Sequence, residues 1–251
     1  MEALSIKNKG QARIFKHPLL EAISKTRPWV IYTLYIPMVI CLVYYAHYAY
    51  QYAIGLMALI FIAGMFNWTL FEYLTHRFLF HFKARTPIAR RLIYIFHENH
   101  HEFPRDRNRL FMPPIPSLIL SATVFLSFYG ISSLILGTPG YGIVFFAGFI
   151  FGYLLYVSLH FAIHAYPPPK YLKVLWRNHH LHHYKYPDHF YGVSSPLWDT
   201  LFGTKYLKEK KIKLSHGPYK RIYCLSAGFC CSGICLLRMV YSKSRSKGFR
   251  I

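Results

Sequence analysis

Residues 28–71 read PWVIYTLYIPMVICLVYYAHYAYQYAIGLMALIFIAGMFNWTLF and contain no Asp, Glu, Lys or Arg. A second charge-free stretch runs from Leu110 to Pro169. Because a helix that crosses a bilayer needs about 20 apolar residues, each stretch is long enough for two spans. Polar or turn-forming residues lie near each midpoint, AHYAYQY at 46–52 and GTPG at 137–140. The sequence therefore predicts an all-α integral membrane protein with four transmembrane helices, near residues 29–46, 52–71, 116–136 and 141–161, arranged as two hairpins.

The distribution of positive charge predicts the orientation of these helices. Six Lys or Arg residues precede the first predicted span, eight lie between residues 72 and 109, and eleven lie between residues 170 and 221. By the positive-inside rule, these three basic segments face the cytosol. This orientation, together with contact to anionic lipid headgroups, explains the net charge of +21. No groove-reading motif accompanies the charge, so nucleic-acid binding is not expected.

The chain divides into three segments by composition. Residues 1–27 form a cytosolic lead in which the stretch from Pro18 to Lys25 predicts a short interfacial helix. Residues 28–204 form the membrane domain, and residues 205–251 form a basic and apolar tail. The apolar run from Ile222 to Tyr241 has the length of a span but contains glycine and Arg238, which favours an interfacial helix over a fifth span. Four of the five cysteines lie in this tail and have neither disulfide-framework nor metal-ligand spacing.

Ten of the fifteen histidines form four groups at the predicted cytosolic ends of the spans. Two groups have the pattern HxxHH, and the others are HxxxxH and HxxxH. In an α-helix, positions i, i+3 and i+4 lie within an arc of about 100°, so each HxxHH triplet presents three imidazoles on one face. Four such groups at one membrane face predict a metal site whose ligands are His76, His81, His97, His100, His101, His160, His164, His179, His182 and His183.

The spacing also predicts how individual rings are used. His76 and His81 are five residues apart and therefore about 140° apart on an α-helix, which suits two different metals better than one. His180 lies about 100° from His179 on the same helix and should point away from the metals. His189 follows Pro187, which ends that helix, so it is expected in a loop rather than among the ligands.

The number and type of ligands indicate a pair of redox-capable metals. Ten imidazoles exceed what one ion binds and are enough for two, and neutral imidazole suits zinc, iron, copper and nickel. A structural zinc site is normally closed, four-coordinate and rich in cysteine, and no Cys lies near these histidines. Histidine ligands commonly donate their second N–H to a carboxylate, which predicts that Glu72, Asp106 and Asp199 orient the ligands.

Three segments resemble the fatty acid hydroxylase and sterol desaturase superfamily: NWTLFEYLTHRFLFHF, FHENHHEFPRDRNRLFMPP and NHHLHHYKYPDHFYGVSSPLWDTLFGT. The resemblance covers about residues 9–204 and is closest to the fatty acid 2-hydroxylase branch, because both triplets are HxxHH. It implies a four-span enzyme whose cytosolic helical cap holds two iron ions on the ten histidines, with zinc able to replace iron in isolated protein. It also implies that the enzyme uses O2 to hydroxylate the carbon next to an acyl carboxyl or amide group.

The resemblance leaves the electron donor and the host membrane open. The sequence has no HPGG haem motif of a fused cytochrome b5 domain, so a separate cytochrome b5- or ferredoxin-type donor is expected. A bacterial cytoplasmic membrane is favoured, with the endoplasmic reticulum as the alternative. Two other functions were weighed: a sterol or carotenoid desaturase or hydroxylase of the same superfamily, and a metal transporter. A transporter should place polar ligands along a path at mid-membrane, whereas these spans are free of charge.

Overall fold

The computed structural model describes residues 6–205, and within that range the chain is helical or irregular, without a β-strand. The helices, in chain order, are α1 (Pro18–Ile23), α2 (Pro28–Tyr50), α3 (Ile54–Leu74), α4 (Pro87–Ile93), α5 (Asn99–Glu102), α6 (Pro114–Leu136), α7 (Gly140–Ala165), α8 (Lys173–Tyr184) and α9 (Leu197–Leu201). Two π-helical turns, Thr75–Phe80 and Tyr94–Glu98, continue α3 and α4, and Arg107–Arg109 form a 3₁₀ turn. The predicted interfacial helix or fifth span at residues 222–241 lies outside the described residues.

Four of these helices, α2, α3, α6 and α7, are long and apolar enough to cross a membrane. They form two hairpins, as predicted, and the turns fall at the two predicted positions. Gln51 ends α2 in the left-handed conformation with φ 51°, and Gly137 ends α6 with φ 69°. Two helices are longer than predicted: α2 continues to Tyr50 and α7 to Ala165. The extension of α7 places His164 on the same continuous helix as His160.

The fourth span, α7, is the centre of the bundle and packs against α2, α3 and α6. Two glycines allow α3 and α7 to approach closely, because a Cβ atom at Gly148 would collide with the carbonyl of Phe61 and one at Gly64 with the carbonyl of Phe145. Small residues at such crossings are typical of helix pairs in membranes. The close approach of α3 and α7 brings their histidine-bearing ends to the same side of the bundle.

A cap of short helices and loops covers one end of the bundle and includes the segment before α2. This leading segment is held by a buried ion pair between Glu21 of α1 and Arg109, which also donates to the carbonyl of Ala12 over 2.9 Å. The backbone N–H groups of Ile14 and Phe15 donate to the same Glu21 carboxylate, each over 3.0 Å. Residues 12–26 are therefore fixed against the 3₁₀ turn that precedes α6.

Candidate metal centre

The π-helical turn Thr75–Phe80 decides where the first two candidate ligands lie. His81 donates its backbone N–H to the carbonyl of His76, five residues earlier, over 3.1 Å. This i to i+5 hydrogen bond widens the helix by one residue per turn, so the two side chains lie on the same side instead of about 140° apart. Their ring centroids are 5.1 Å apart. The prediction that His76 and His81 serve different metals is therefore wrong, because it assumed α-helical geometry.

The second π-helical turn, Tyr94–Glu98, leads into α5 and the first HxxHH triplet. A π-helical turn leaves carbonyl groups without their usual partners, and Asn99 compensates for this. Its Nδ2 donates to the carbonyl of Tyr94 over 2.7 Å and to the carbonyl of Ile95 over 2.9 Å. These bonds fix the start of α5, so His100 and His101 are held in register with His97 at the end of the turn.

The second half of the site repeats this arrangement with ordinary α-helices. His160 and His164 lie one turn apart at the end of α7, and the second HxxHH triplet lies on α8, which begins and ends within the predicted limits. All three triplet residues of α8 are buried. His180 is outside both groups of histidines defined below and stacks on Tyr184 with a centroid distance of 6.1 Å, and His189 lies in the loop after α8.

The ten histidines converge as two groups of five. Within each group every residue offers one nitrogen, and these nitrogens all lie within 4.8 Å of one another. Group A consists of His76, His81, His97, His101 and His182, and group B of His100, His160, His164, His179 and His183. The groups are adjacent, since His101 of group A stacks on His183 of group B with centroids 4.2 Å apart. Among the described residues, no Cys, Asp or Glu belongs to either group.

The distances between imidazole nitrogens have the spacing of metal ligands. In group A, the Nε2 atom of His97 is 3.1 Å from that of His76 and 3.0 Å from that of His101. In group B, the Nε2 atom of His179 is 2.9 Å from that of His164 and 3.0 Å from that of His183. Two ligands at right angles on one ion, each roughly 2.1 Å from it, would have nitrogens about 3.0 Å apart. A single N–H could serve only one of two such neighbours, so converging lone pairs explain the geometry better than hydrogen bonds.

Burial keeps the cap histidines neutral, which is the state a metal binds. Desolvation lowers the pKa of His81 and of His101 to about 3. It also places the pKa values of the remaining cap histidines well below the usual range, and these residues are His97, His100, His179, His182 and His183. The Nε2 atoms of His81 and His182 are buried without any hydrogen-bond partner. The all-imidazole donor set, its spacing and these unpaired atoms fit two metal ions.

A family model described as fatty acid hydroxylase matches residues 61–204, which include all ten histidines. The chain belongs to the fatty acid hydroxylase family.

Individual relatives agree with this assignment. The chain is 38% identical to the ceramide very long chain fatty acid hydroxylase SCS7 of Saccharomyces cerevisiae over 200 residues, which are 78% of this chain and 50% of that protein. It is 33% identical to the dihydroceramide fatty acyl 2-hydroxylase FAH2 of Arabidopsis thaliana, over 76% of this chain and 79% of the relative. A solved structure of full-length Scs7p, with only the hydroxylase domain visible, has a TM-score of 0.72 at 34% identity and covers 79% of this chain and 73% of that one. The chain thus spans about half the length of the yeast relative.

In this fatty acid hydroxylase, backbone carbonyls rather than carboxylates orient two of the group A rings. The Nδ1–H of His76 donates to the carbonyl of Tyr191 over 2.5 Å, and the Nδ1–H of His182 donates to the carbonyl of His189 over 2.7 Å. Each bond leaves Nε2 as the unprotonated nitrogen that faces the centre of the group. The loop 189–194 therefore has a direct role in ligand geometry.

The three predicted carboxylates act one step further out, so the prediction that they contact the ligand rings is wrong. Asp199 accepts from the N–H of Tyr191 over 2.9 Å and from the N–H of Gly192 over 2.8 Å, and Glu72 accepts from the N–H of Val193 over 2.6 Å. Both acids are buried and fix the loop that supplies the carbonyls. Short loops leave many backbone N–H groups without a helix partner, and these carboxylates satisfy them.

Asp106 has a different task from the other two acids. Its carboxylate accepts from the N–H of Ala12 over 3.1 Å and from the N–H of Asn108 over 3.2 Å, and it lies 3.6 Å from the Nε of Arg109. It therefore anchors the leading segment and the turn before α6, not a histidine.

Two features of the site were not anticipated. Tyr191 packs edge-on against three group A rings, with centroid distances of 5.6 Å to His76, 5.4 Å to His81 and 5.5 Å to His182. Burial raises the pKa of Tyr191 to about 12, so the phenol is neutral. The only sequence signal was its place in the HFYGVSS segment after the second triplet, because a loop residue has no periodicity that would indicate its contacts.

The second unanticipated feature is a cavity of about 650 Å³ between the histidines and the membrane helices. Four histidines from both groups line one part of it, and most of the remaining wall is apolar. These four are His76, His97, His100 and His160. The exposed rim includes Leu20 and Ile23 of α1, Phe96 of the second π-helical turn, and Ile115 of α6. An apolar rim indicates that the cavity opens toward lipid.

Proposed function

We propose that this protein is a membrane-bound, O2-dependent hydroxylase that adds a hydroxyl group to C2 of a fatty acyl chain. The observation that carries the proposal is the cavity, which joins an apolar, lipid-facing slot to histidines of both groups. A slot of this size and character suits one alkyl chain. The names of the relatives support the choice of substrate, because they describe hydroxylation of fatty acids and of the acyl part of ceramides and dihydroceramides.

We further propose that each group of five histidines binds one iron ion, which zinc can replace in isolated protein. Neutral imidazole is a good ligand for both metals, and the groups lack the cysteines typical of a structural zinc site. When bound, the two ions supply the redox chemistry that inserts one atom of O2 into an unactivated C–H bond.

The protein's own residues bind and orient the acyl chain. Apolar side chains of α7 and of the segment before α6, such as Val157 and Phe111, form the cavity wall near the histidines and exclude water from it. Tyr156 also lines the wall and stacks on the ring of His160 with a centroid distance of 5.7 Å and an interplanar angle of 10°. This contact restricts the rotation of a group B ring that faces the substrate.

An external electron donor is part of the proposal. Reduction of O2 to water beside the inserted atom needs electrons that the acyl chain does not supply. We propose a cytochrome b5- or ferredoxin-type protein, which would dock on exposed basic residues of the cap such as Arg85, Lys173 and Arg177. The positive-inside rule supports a cytosolic position for the cap. The relatives named above come from a yeast and a plant, so the bacterial membrane stays a prediction from sequence.

Lipid mass spectrometry tests the proposed activity. The protein is expressed in a eukaryotic host that lacks acyl 2-hydroxylation, with iron and a competent donor present. We expect 2-hydroxy acyl lipids with the wild-type chain and with His180→Ala, and none with His182→Ala. Sterols and carotenoids are measured in the same extracts. Unchanged acyl lipids in an iron-loaded sample would refute the proposal, and hydroxylated sterol or carotenoid would favour the alternative of the superfamily.

A further inference from the structure

The cavity wall contains buried polar atoms that no protein group satisfies. Thr26 is 1% exposed and Asn99 is 3% exposed, and both line the cavity. The Thr26 Oγ1 and Asn99 Oδ1 atoms have no hydrogen-bond partner, and neither do Trp68 Nε1 and Tyr153 OH further along the wall. Buried polar atoms are almost always paired in proteins, so a ligand group is the natural partner of those that face a cavity.

The charged groups of the same wall are already fully used. The guanidinium of Arg109 donates to the carboxylate of Glu21, to the carbonyl of Ala12 and to Ser24 Oγ. The carboxylate of Glu72 accepts three bonds from Val193 and Ser194. The wall therefore offers a ligand neutral hydrogen-bonding groups rather than an unpaired charge.

Asn99 has a defined orientation and a defined need. Its Nδ2 must face the carbonyls of Tyr94 and Ile95, to which it donates, so its Oδ1 faces away from them as a free acceptor. Asn99 lies directly before His100 of group B and two residues after His97 of group A. A donor that satisfies this oxygen therefore binds beside the histidines.

Thr26 supplies the complementary donor. Its backbone N–H donates to the carbonyl of Asn108 over 2.9 Å, which holds it against the segment that continues to Leu110. Leu110 lines the cavity, and its carbonyl faces the ring of His160. The Thr26 hydroxyl is thus placed in the same part of the cavity as group B.

We propose that Thr26 and Asn99 bind the polar end of the acyl substrate, with the Thr26 hydroxyl donating to the acyl carbonyl oxygen and Asn99 Oδ1 accepting from an amide N–H. This inference rests on the proposed function, because it assumes that an acyl chain occupies the cavity. A secondary amide presents both required groups next to C2. An ester, a thioester or a free carboxylate leaves Asn99 Oδ1 unsatisfied, which gives the site a preference for amide-linked chains.

Ligand binding under anaerobic conditions tests the inference without turnover. The probes are three lipids with the same acyl chain: a secondary amide, its N-methylated form and the free acid. Holoenzyme in detergent should bind the secondary amide about tenfold more tightly than the N-methylated amide. The Thr26→Val variant should bind the secondary amide roughly five- to tenfold more weakly, and Thr26→Ser should bind it as the wild type does. The control is Thr33→Val on α2, because Thr33 is exposed and its hydroxyl bonds only to its own helix.

A second measurement separates binding from a structural role. Because Thr26 Oγ1 has no partner in the protein, Thr26→Val should leave the thermal unfolding temperature unchanged or raise it. A lowered unfolding temperature with unaltered amide affinity would assign Thr26 a structural role and overturn its part of the inference. Equal affinity for the secondary and N-methylated amides would overturn the part of Asn99. Failure of the proposed function is distinguishable, since it appears as absent 2-hydroxylation whatever the binding data show.

Discussion

The structure makes a sharp prediction for Asp199→Asn, a nearly isosteric change at a residue that touches no histidine. The Asp199 carboxylate is fully buried and accepts from Tyr191 N–H, Gly192 N–H and the Thr204 hydroxyl. An amide replaces one acceptor oxygen by a donor, so at least one N–H of the loop must face another donor. Hydrogen bonds to a charged group contribute roughly 1.5–3 kcal/mol each, so the loop should lose about 2 kcal/mol or more of its local stability.

The lost stability should reach the metal site through a single carbonyl. Tyr191 is the residue whose carbonyl holds His76, and removal of such supporting contacts typically lowers metal affinity about 10- to 100-fold. The assay is competition between purified protein and a chelator of known affinity, with metal content measured by inductively coupled plasma mass spectrometry. We expect Asp199→Asn to lose metal at a chelator concentration about 10- to 100-fold lower than the wild type does.

The matched control is Asp188→Asn, an exposed acid that precedes the same loop. It should retain metal as the wild type does. If Asp199→Asn also retains wild-type affinity, the loop does not position His76, and the assignment of Asp199 as an outer support is wrong.

Three further predictions follow from the helix packing and the histidine groups. His182→Ala should lower the metal content from two ions per chain to about one, whereas His180→Ala should keep both, as measured by the same mass spectrometry. Because burial lowers the pKa values of the cap histidines below 6.5, the unfolded chain binds more protons in acid; metal-free protein should lose about 1.4 kcal/mol per pH unit for each such histidine as the pH falls below 6.5, seen as a falling unfolding temperature. Gly148→Val should abolish monodisperse protein in size-exclusion chromatography, because its side chain would collide with the carbonyl of Phe61, whereas Gly130→Val, with open space around it, should not.

The sequence predicts the membrane fold well because bilayer insertion imposes a coarse and strong constraint. A charge-free stretch long enough for two spans leaves few alternatives to a helical hairpin, since every backbone polar group must be satisfied within the lipid. The family resemblance and the grouping of histidines at one end are confirmed for the same reason: the motifs are long and ordered. The helix ends were less accurate, because tyrosines near Tyr50 are tolerated both in a helix and in an interfacial turn.

The finer geometry was hidden because it depends on departures from regular structure. The HxxxxH pair could be placed correctly only by anticipating a π-helical turn, and its signature is a hydrogen bond rather than a residue type. The carboxylates were assigned to the rings because that is the commonest arrangement, but Glu72 and Asp199 are occupied by the backbone of a loop. Tyr191 has no sequence periodicity that would indicate its place among three histidines.

The division of the histidines into groups A and B has a consequence for how the centre is assembled. Each hairpin ends in a pair of histidines and is followed by a cap helix whose triplet gives its first and last members to that hairpin's own group and its middle member to the other. The two halves are thus pseudo-symmetric and exchange one ligand, with His100 passing to group B and His182 to group A. Neither half can complete a five-ligand centre alone, so the two centres are mutually dependent, and damage to one cap helix weakens both.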